Sequence, residues 1–126
     1  MSENSEFWDT IPYFKKSEFT CKCGCGHNNI SNELVRQLNK ARTISKIPFK
    51  INSACRCEKH NRSEKGSETS SHLKGYAVDI SISSSFNRFK ILQALMAVGF
   101  KRIGVYKDFI HCDIDSDKSQ NVVWYK

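Results

Sequence analysis

The stretch Ser70-Ser71-His72-Leu73-Lys74-Gly75-Tyr76-Ala77-Val78-Asp79-Ile80 decides how this chain of 126 residues is read. It closes a segment, residues 56–71 (RCEKHNRSEKGSETSS), that carries almost no apolar side chain and is predicted to be a long polar loop, a kind that in compact domains is usually functional or disordered. Its second half alternates, with Val78 and Ile80 set against Ala77, Asp79 and Ser81, and predicts a strand with one apolar face. By the two-residue period Asp79 points away from Val78 and Ile80, outside the packed core. A second segment repeats the design: Phe109, His111 and Asp113 share one face, and Ile110, Cys112 and Ile114 share the other. His72, Asp79 and His111 converging on the less apolar side would supply three ligands and leave one position open, the arrangement of a catalytic zinc site.

Outward from these segments the chain reads as alternating helices and short strands. Ser31 is a predicted N-cap, with Ile30 before it as a staple onto Val35. Leu34, Val35, Leu38 and Ala41 recur at three- and four-residue steps and predict an amphipathic helix ending near Ser45. Pro48 breaks the pattern, and the alternation of Phe49 and Ile51 with Lys50 and Asn52 predicts a half-buried strand. A second helix is predicted over residues 87–98, with Phe89, Leu92 and Met96 as its apolar stripe and Gly99 as its left-handed cap. Ile103 with Val105, residues 109–114 and residues 122–125 are the remaining predicted strands. Residues 1–29 read as an irregular, cysteine-rich segment packed on the rest. The expectation is one α+β domain over residues 1–126, with a mainly antiparallel sheet and flanking helices.

Lys and Arg number 20 against 13 Asp and Glu, a net charge of +7. The basic residues are scattered, with no run longer than Lys15-Lys16, which favours a solvated basic surface over a nucleic-acid groove. The longest uncharged apolar run, residues 91–100, falls far short of the ~20 residues of a membrane span. The first ten residues, MSENSEFWDT, lack the basic and apolar regions of a signal peptide, so synthesis in the cytoplasm is expected. No nucleic-acid or membrane partner is expected, and the chain is expected to be a monomer. Six cysteines fall mostly into two knots, Cys21-x-Cys23-x-Cys25 and Cys55-x-Cys57, with Cys112 apart. Four thiolates from the two knots holding a second, structural zinc is one reading. Disulfides, or small buried thiols, are the others, and the CxC spacing, tighter than the usual C-x2-4-C, favours these.

The segment SSHLKGYAVDI resembles the SxHxxGxAxD signature of peptidase family M15, the zinc D-Ala-D-Ala carboxypeptidase and dipeptidase superfamily, at Ser70, His72, Gly75, Ala77 and Asp79. Downstream, GVYKDFIHCDI is similar to the family's closing H-x-D/H strand, and upstream INSACRCEKHN is similar to its S-G-Y-R-x-x-x-x-N element. The resemblance runs from about residue 14 to 114 and implies the hedgehog-type zinc fold. It implies that His72, Asp79 and His111 bind one zinc ion, that Arg56 stabilises the oxyanion, and that Asn61 and Ser70 pin the loop or the substrate's polar ends. Asp108, three residues before His111, fills the slot where family members often carry the general base. Asp113 fits the H-x-D variant, as base or as a partner orienting a ligand. The implied activity is hydrolysis, by metal-activated water, of a bond next to a D-amino acid in peptidoglycan stem peptides. The carrier would be a phage endolysin or a stored wall hydrolase acting on the cell wall. The alternative is a non-catalytic hedgehog-like zinc module that binds wall or a protein partner. The family's tyrosine in S-G-Y-R is absent from Ser53-Ala54-Cys55-Arg56, and its paired glycines are reduced to Gly66, changes that touch substrate subsites before the metal.

Overall fold

The computed structural model describes residues 5–126. The elements are α1 (Ser5–Asp9), a 3-10 turn (Lys16–Phe19), α2 (Asn32–Ser45), β1 (Ile51–Ser53), α3 (Glu58–Ser63), β2 (Ala77–Ser81), α4 (Ser85–Ala97), β3 (Arg102–Val105), β4 (Phe109–Asp113) and β5 (Val122–Tyr125). The strands form one five-stranded sheet in the order β1-β2-β4-β3-β5. Every pairing is antiparallel except β3 with β5, so the sheet is mixed, and the α+β class with a mainly antiparallel sheet stands.

Local chemistry explains most of the boundaries. The Ser31 hydroxyl accepts from the Leu34 amide and opens α2, satisfying a donor that the first helical turn leaves free. Gly99, at φ 92°, follows α4 as its left-handed turn. Leu34, Val35, Leu38 and Ala41 of α2 are buried with Ile91, Ala94 and Leu95 of α4. They form one core with Val78, Ile80, Ile103, Ile110 and Cys112 of the sheet. Phe14 and Phe19 of the N-terminal segment complete it, with ring centroids 5.6 Å apart.

Three expectations are corrected. The polar loop contains α3, which the Cys57 sulfur caps by accepting from the His60 amide. Glu58 in its first turn and Arg62 in its last suit the helix dipole. With a single buried side chain, Asn61, this helix has no apolar period to betray it. Residues 1–29 are likewise less irregular than read, since α1 and the 3-10 turn lie within them. On α4 the buried face is Ile91, Ala94 and Leu95, whereas Phe89 and Met96 are 61% and 56% exposed. That helix is apolar on two sides, so three- and four-residue spacing alone does not choose between them.

Register positions the rest. Ser53, Asp79, His111, Gly104 and Trp124 are successive Cα partners across all five strands, one transverse row of the sheet. By strand alternation this row lies on the face opposite Val78, Ile80, Ile110 and Cys112.

Candidate metal centre

Asp79 and His111 face each other across β2 and β4 in that row. His72 joins them from the turn before β2. Gly75, at φ 75°, reverses the chain there, and a Cβ on it would strike the Asn29 backbone. The Asn29 side chain donates to Leu73 O and the Ser31 amide to Gly75 O, so the turn is fastened to the start of α2. The ligating atoms of His72, Asp79 and His111 all lie within 4.8 Å of one another. His72 and Asp79 are each 5% exposed. Asp79 lies off the apolar core as its parity predicts, yet it is buried, because imidazoles and a guanidinium cover it instead of solvent.

The hydrogen bonds decide which ring nitrogens are free. His72 Nδ1 lies 2.7 Å from Ala54 O, and a carbonyl only accepts, so Nδ1 carries the proton and Nε2 presents its lone pair. That Nε2 is 3.4 Å from Asp79 Oδ1. His111 Nε2 donates to Asp113 Oδ2 at 2.7 Å, and His111 Nδ1 lies 3.0 Å from the same Asp79 oxygen. Two imidazole nitrogens and one carboxylate oxygen are thus aimed at one point, each ring held from behind by an acceptor. Two nitrogens and an oxygen, with both rings oriented by outer partners, are the donor set of a catalytic zinc site, so these residues fit that ion.

Charge follows the same contacts. Without a metal, burial pushes the Asp79 carboxyl up, but the His111 and His72 rings, which donate to it only when both of their nitrogens carry protons, outweigh burial and hold its pKa at about 2. Burial disfavours the His111 cation, yet Asp113 and Asp79 together raise its pKa above the ordinary value. Burial opposes the Asp113 charge, and His111, the Asp115 amide and Arg102 bring its pKa below the usual carboxylate range.

Asp113 is 2% exposed and both its oxygens are engaged. One takes His111, and the other takes Arg102 Nε at 2.7 Å and the Asp115 amide at 3.1 Å. Asp108 is exposed on the β3–β4 turn, where its carbonyl accepts from the Ile82 amide and its carboxylate has no hydrogen bond or ion pair among the described residues. Arg56 does reach the site: one terminal nitrogen lies 3.8 Å from Asp79 Oδ2 and the other donates to Asn61 Oδ1 at 3.3 Å. Its Nε is buried without a partner. Asn61 is buried, and its amide donates to Ser67 O. The Ser70 hydroxyl accepts from the His72 amide. A cleft lined by Glu58, Asn61, Arg62, Glu68 and Leu73 opens beside this loop.

Several residues that brace the site carry no signal in the linear sequence. Arg102 clamps Asp113, and Trp124 lies with its ring centroid 5.5 Å from that of His111. Gly104 separates these two in the row, and a Cβ there would collide with the Trp124 indole. Buried Ser71 donates to fully buried Asp115, which also takes Lys74 at 3.0 Å, tying the His72 turn to the chain that leaves β4. Only pairing register, invisible in a single sequence, brings these side chains to His111 and Asp113.

No curated protein matches the chain. The family model described as Peptidase M15 matches residues 12–113, about four fifths of the length, and contains His72, Asp79 and His111. The chain belongs to the peptidase M15 family.

Proposed function

We propose that the protein is a zinc-dependent peptidase that hydrolyses a bond next to a D-amino acid in peptidoglycan stem peptides, as carboxypeptidase or endopeptidase. The observation that carries the zinc is the convergence of His72 Nε2, His111 Nδ1 and Asp79 Oδ1, each ring's other nitrogen being committed elsewhere. A zinc ion held there supplies a Lewis acid and activates water at neutral pH. The substrate class rests on family membership, and the net charge of +7 suits a wall rich in carboxylates and phosphates.

The protein's own groups divide the remaining work. Arg56 donates to the scissile carbonyl oxygen as negative charge develops on it; its guanidinium lies at the site, with one terminal nitrogen 3.8 Å from Asp79 Oδ2. Asn61 positions Arg56 and, through Ser67, the loop, while Ser70 holds the amide of His72. Asp113 is assigned to orienting His111, because neither of its oxygens is free. Proton transfer is assigned to Asp108 from its place three residues before His111, the slot in which the family resemblance implies a base, and its carboxylate is exposed and uncommitted. These contacts with Arg56 favour an enzyme over a zinc module that only binds, since a purely structural site needs no buried guanidinium beside its carboxylate.

The test is to incubate the purified protein with peptidoglycan, with and without a chelator, and to identify released fragments by mass spectrometry. The expected result is chelator-sensitive cleavage at a D-residue bond, restored by added zinc. Intact peptidoglycan in the presence of zinc would favour the binding module.

A further inference from the structure

Four of the six cysteines are brought together far from where the linear spacing separates them. The sulfurs of Cys21, Cys23, Cys25 and Cys57 all lie within 4.8 Å of one another. Cys21 and Cys23 are 3.4 Å apart, Cys23 and Cys57 3.7 Å, and Cys21 and Cys57 3.9 Å. A tetrahedral ion with metal–sulfur bonds of about 2.3 Å has sulfur–sulfur edges of about 3.8 Å. A disulfide instead needs one pair at about 2.05 Å, and all six thiols are free. The sulfurs are spaced as the corners of a coordination polyhedron.

The surrounding backbone points the same way. Three amides aim at three of these sulfurs: His27 at Cys25 at 3.4 Å, Cys57 at Cys21 at 3.5 Å and His60 at Cys57 at 3.4 Å. Such donors stabilise sulfur as thiolate, the form a metal takes. The Cys21 amide donates to His27 O at 2.8 Å, closing a tight loop that turns through Gly24 and Gly26 at φ 89° and 84°. This loop compensates for the short CxC spacing by presenting all three of its sulfurs inward. Lys59 and His60 line the cavity next to Cys23, Cys25 and Cys57, where four thiolates would leave surplus negative charge. The other two cysteines stand apart: Cys55 lies buried against Asn28 Oδ1, and Cys112 lies in the core. Burial pushes the Cys55 thiol up to about 11.

We propose that Cys21, Cys23, Cys25 and Cys57 hold a second zinc ion in a closed, structural four-thiolate site. It pins the N-terminal loop to the chain that follows Arg56. Cys57 is the neighbour of Arg56 and caps α3, and α3 carries Asn61, the partner of Arg56. Metal in this site therefore braces the guanidinium beside Asp79 from about one residue away. The disulfide and free-thiol readings favoured by the CxC spacing give way to it.

The test uses the full chain carrying His72→Ala and His111→Ala, so that the catalytic site contributes nothing. This variant, refolded with cobalt(II) under reducing conditions, is expected to bind one ion with the intense thiolate-to-cobalt absorption of a tetrahedral sulfur site. Adding Cys23→Ser and Cys25→Ser is expected to abolish that absorption. Should the serine variant fail to fold, a mercurial titration of the wild-type protein decides. Zinc is then expected to leave in step with modification of four thiols. Absence of the charge-transfer band, its survival in the serine variant, or zinc release unlinked to thiol modification would overturn the proposal. So would mass spectrometry showing a disulfide among the four. None of these outcomes depends on peptidase activity, so the proposal fails or stands separately from the catalytic reading.

Discussion

Replacing Asp113 by Asn probes the metal centre through one proton. One Asp113 oxygen accepts from two donors, Arg102 Nε at 2.7 Å and the Asp115 amide at 3.1 Å, while the other accepts from His111 Nε2 at 2.7 Å. An asparagine must keep its oxygen on the side with two donors, because its NH2 group there would face both of them. Its NH2 therefore turns to His111 Nε2, which must become an acceptor. The proton moves to Nδ1, the nitrogen aimed at Asp79, and that lone pair is lost to a metal. Loss of such an outer partner typically costs 10- to 100-fold in metal affinity, about 1.4–2.7 kcal/mol. Asp113→Ala removes the acceptor without imposing the wrong tautomer. It is expected to lose less zinc affinity but more stability, since Arg102, with 12% of its side chain exposed, loses its carboxylate counter-charge. Zinc competition against a chromophoric chelator measures the first effect, and melting of metal-free protein the second. Wild-type zinc affinity in Asp113→Asn would refute the reasoning.

The pH dependence follows from the same groups. Asp79, held at about 2 against an ordinary 3.8, contributes stability that is present above 3.8 and lost as pH falls through 2. His111, raised above 6.5, contributes stability that is full below 6.5 and lost as pH rises through its elevated value. Metal-free protein is therefore expected to be most stable between 3.8 and 6.5, whereas the increment that zinc adds grows with pH because zinc needs the neutral imidazole. Calorimetry of both forms at acidic and alkaline pH checks this, and an increment independent of pH would count against it. Gly104→Val is expected to cost about 1–3 kcal/mol and to displace Trp124, seen as a shift in tryptophan fluorescence together with a lower melting temperature. Arg56→Ala is expected to lower kcat by roughly 10²- to 10³-fold with zinc content unchanged, the loss found on removing an oxyanion donor. Asp108→Asn is expected to lower kcat while zinc binding stays at the wild-type level, and full turnover in that variant would move the proton acceptor elsewhere.

The strands were legible because alternation is a local signal: Val78 and Ile80 on one face and His111 on the other follow from the two-residue period alone. So was the convergence of His72, Asp79 and His111, because Asp79 and His111 sit on those strands and His72 in the turn that leads into β2. What stayed hidden depends on register and on helices without an apolar stripe. Asp113 and Arg102 meet only because β3 and β4 pair with Ile103 opposite Cys112, and Trp124 reaches His111 only across Gly104. α3 carries no such signal because its sequence, EKHNRS, is polar throughout and its cap is a cysteine sulfur instead of a hydroxyl. The convergence of the Cys21, Cys23, Cys25 and Cys57 sulfurs is hidden for a related reason, since the loop that turns three closely spaced sulfurs inward is not written in their spacing.

The central claim is that His72, Asp79 and His111 share one zinc ion. Anomalous scattering collected across the zinc edge from crystals of the metal-loaded protein tests it most directly. The account predicts a peak about 2.0–2.2 Å from His72 Nε2, His111 Nδ1 and an Asp79 oxygen. No peak among these three side chains, or one bound through His111 Nε2 instead, would contradict it.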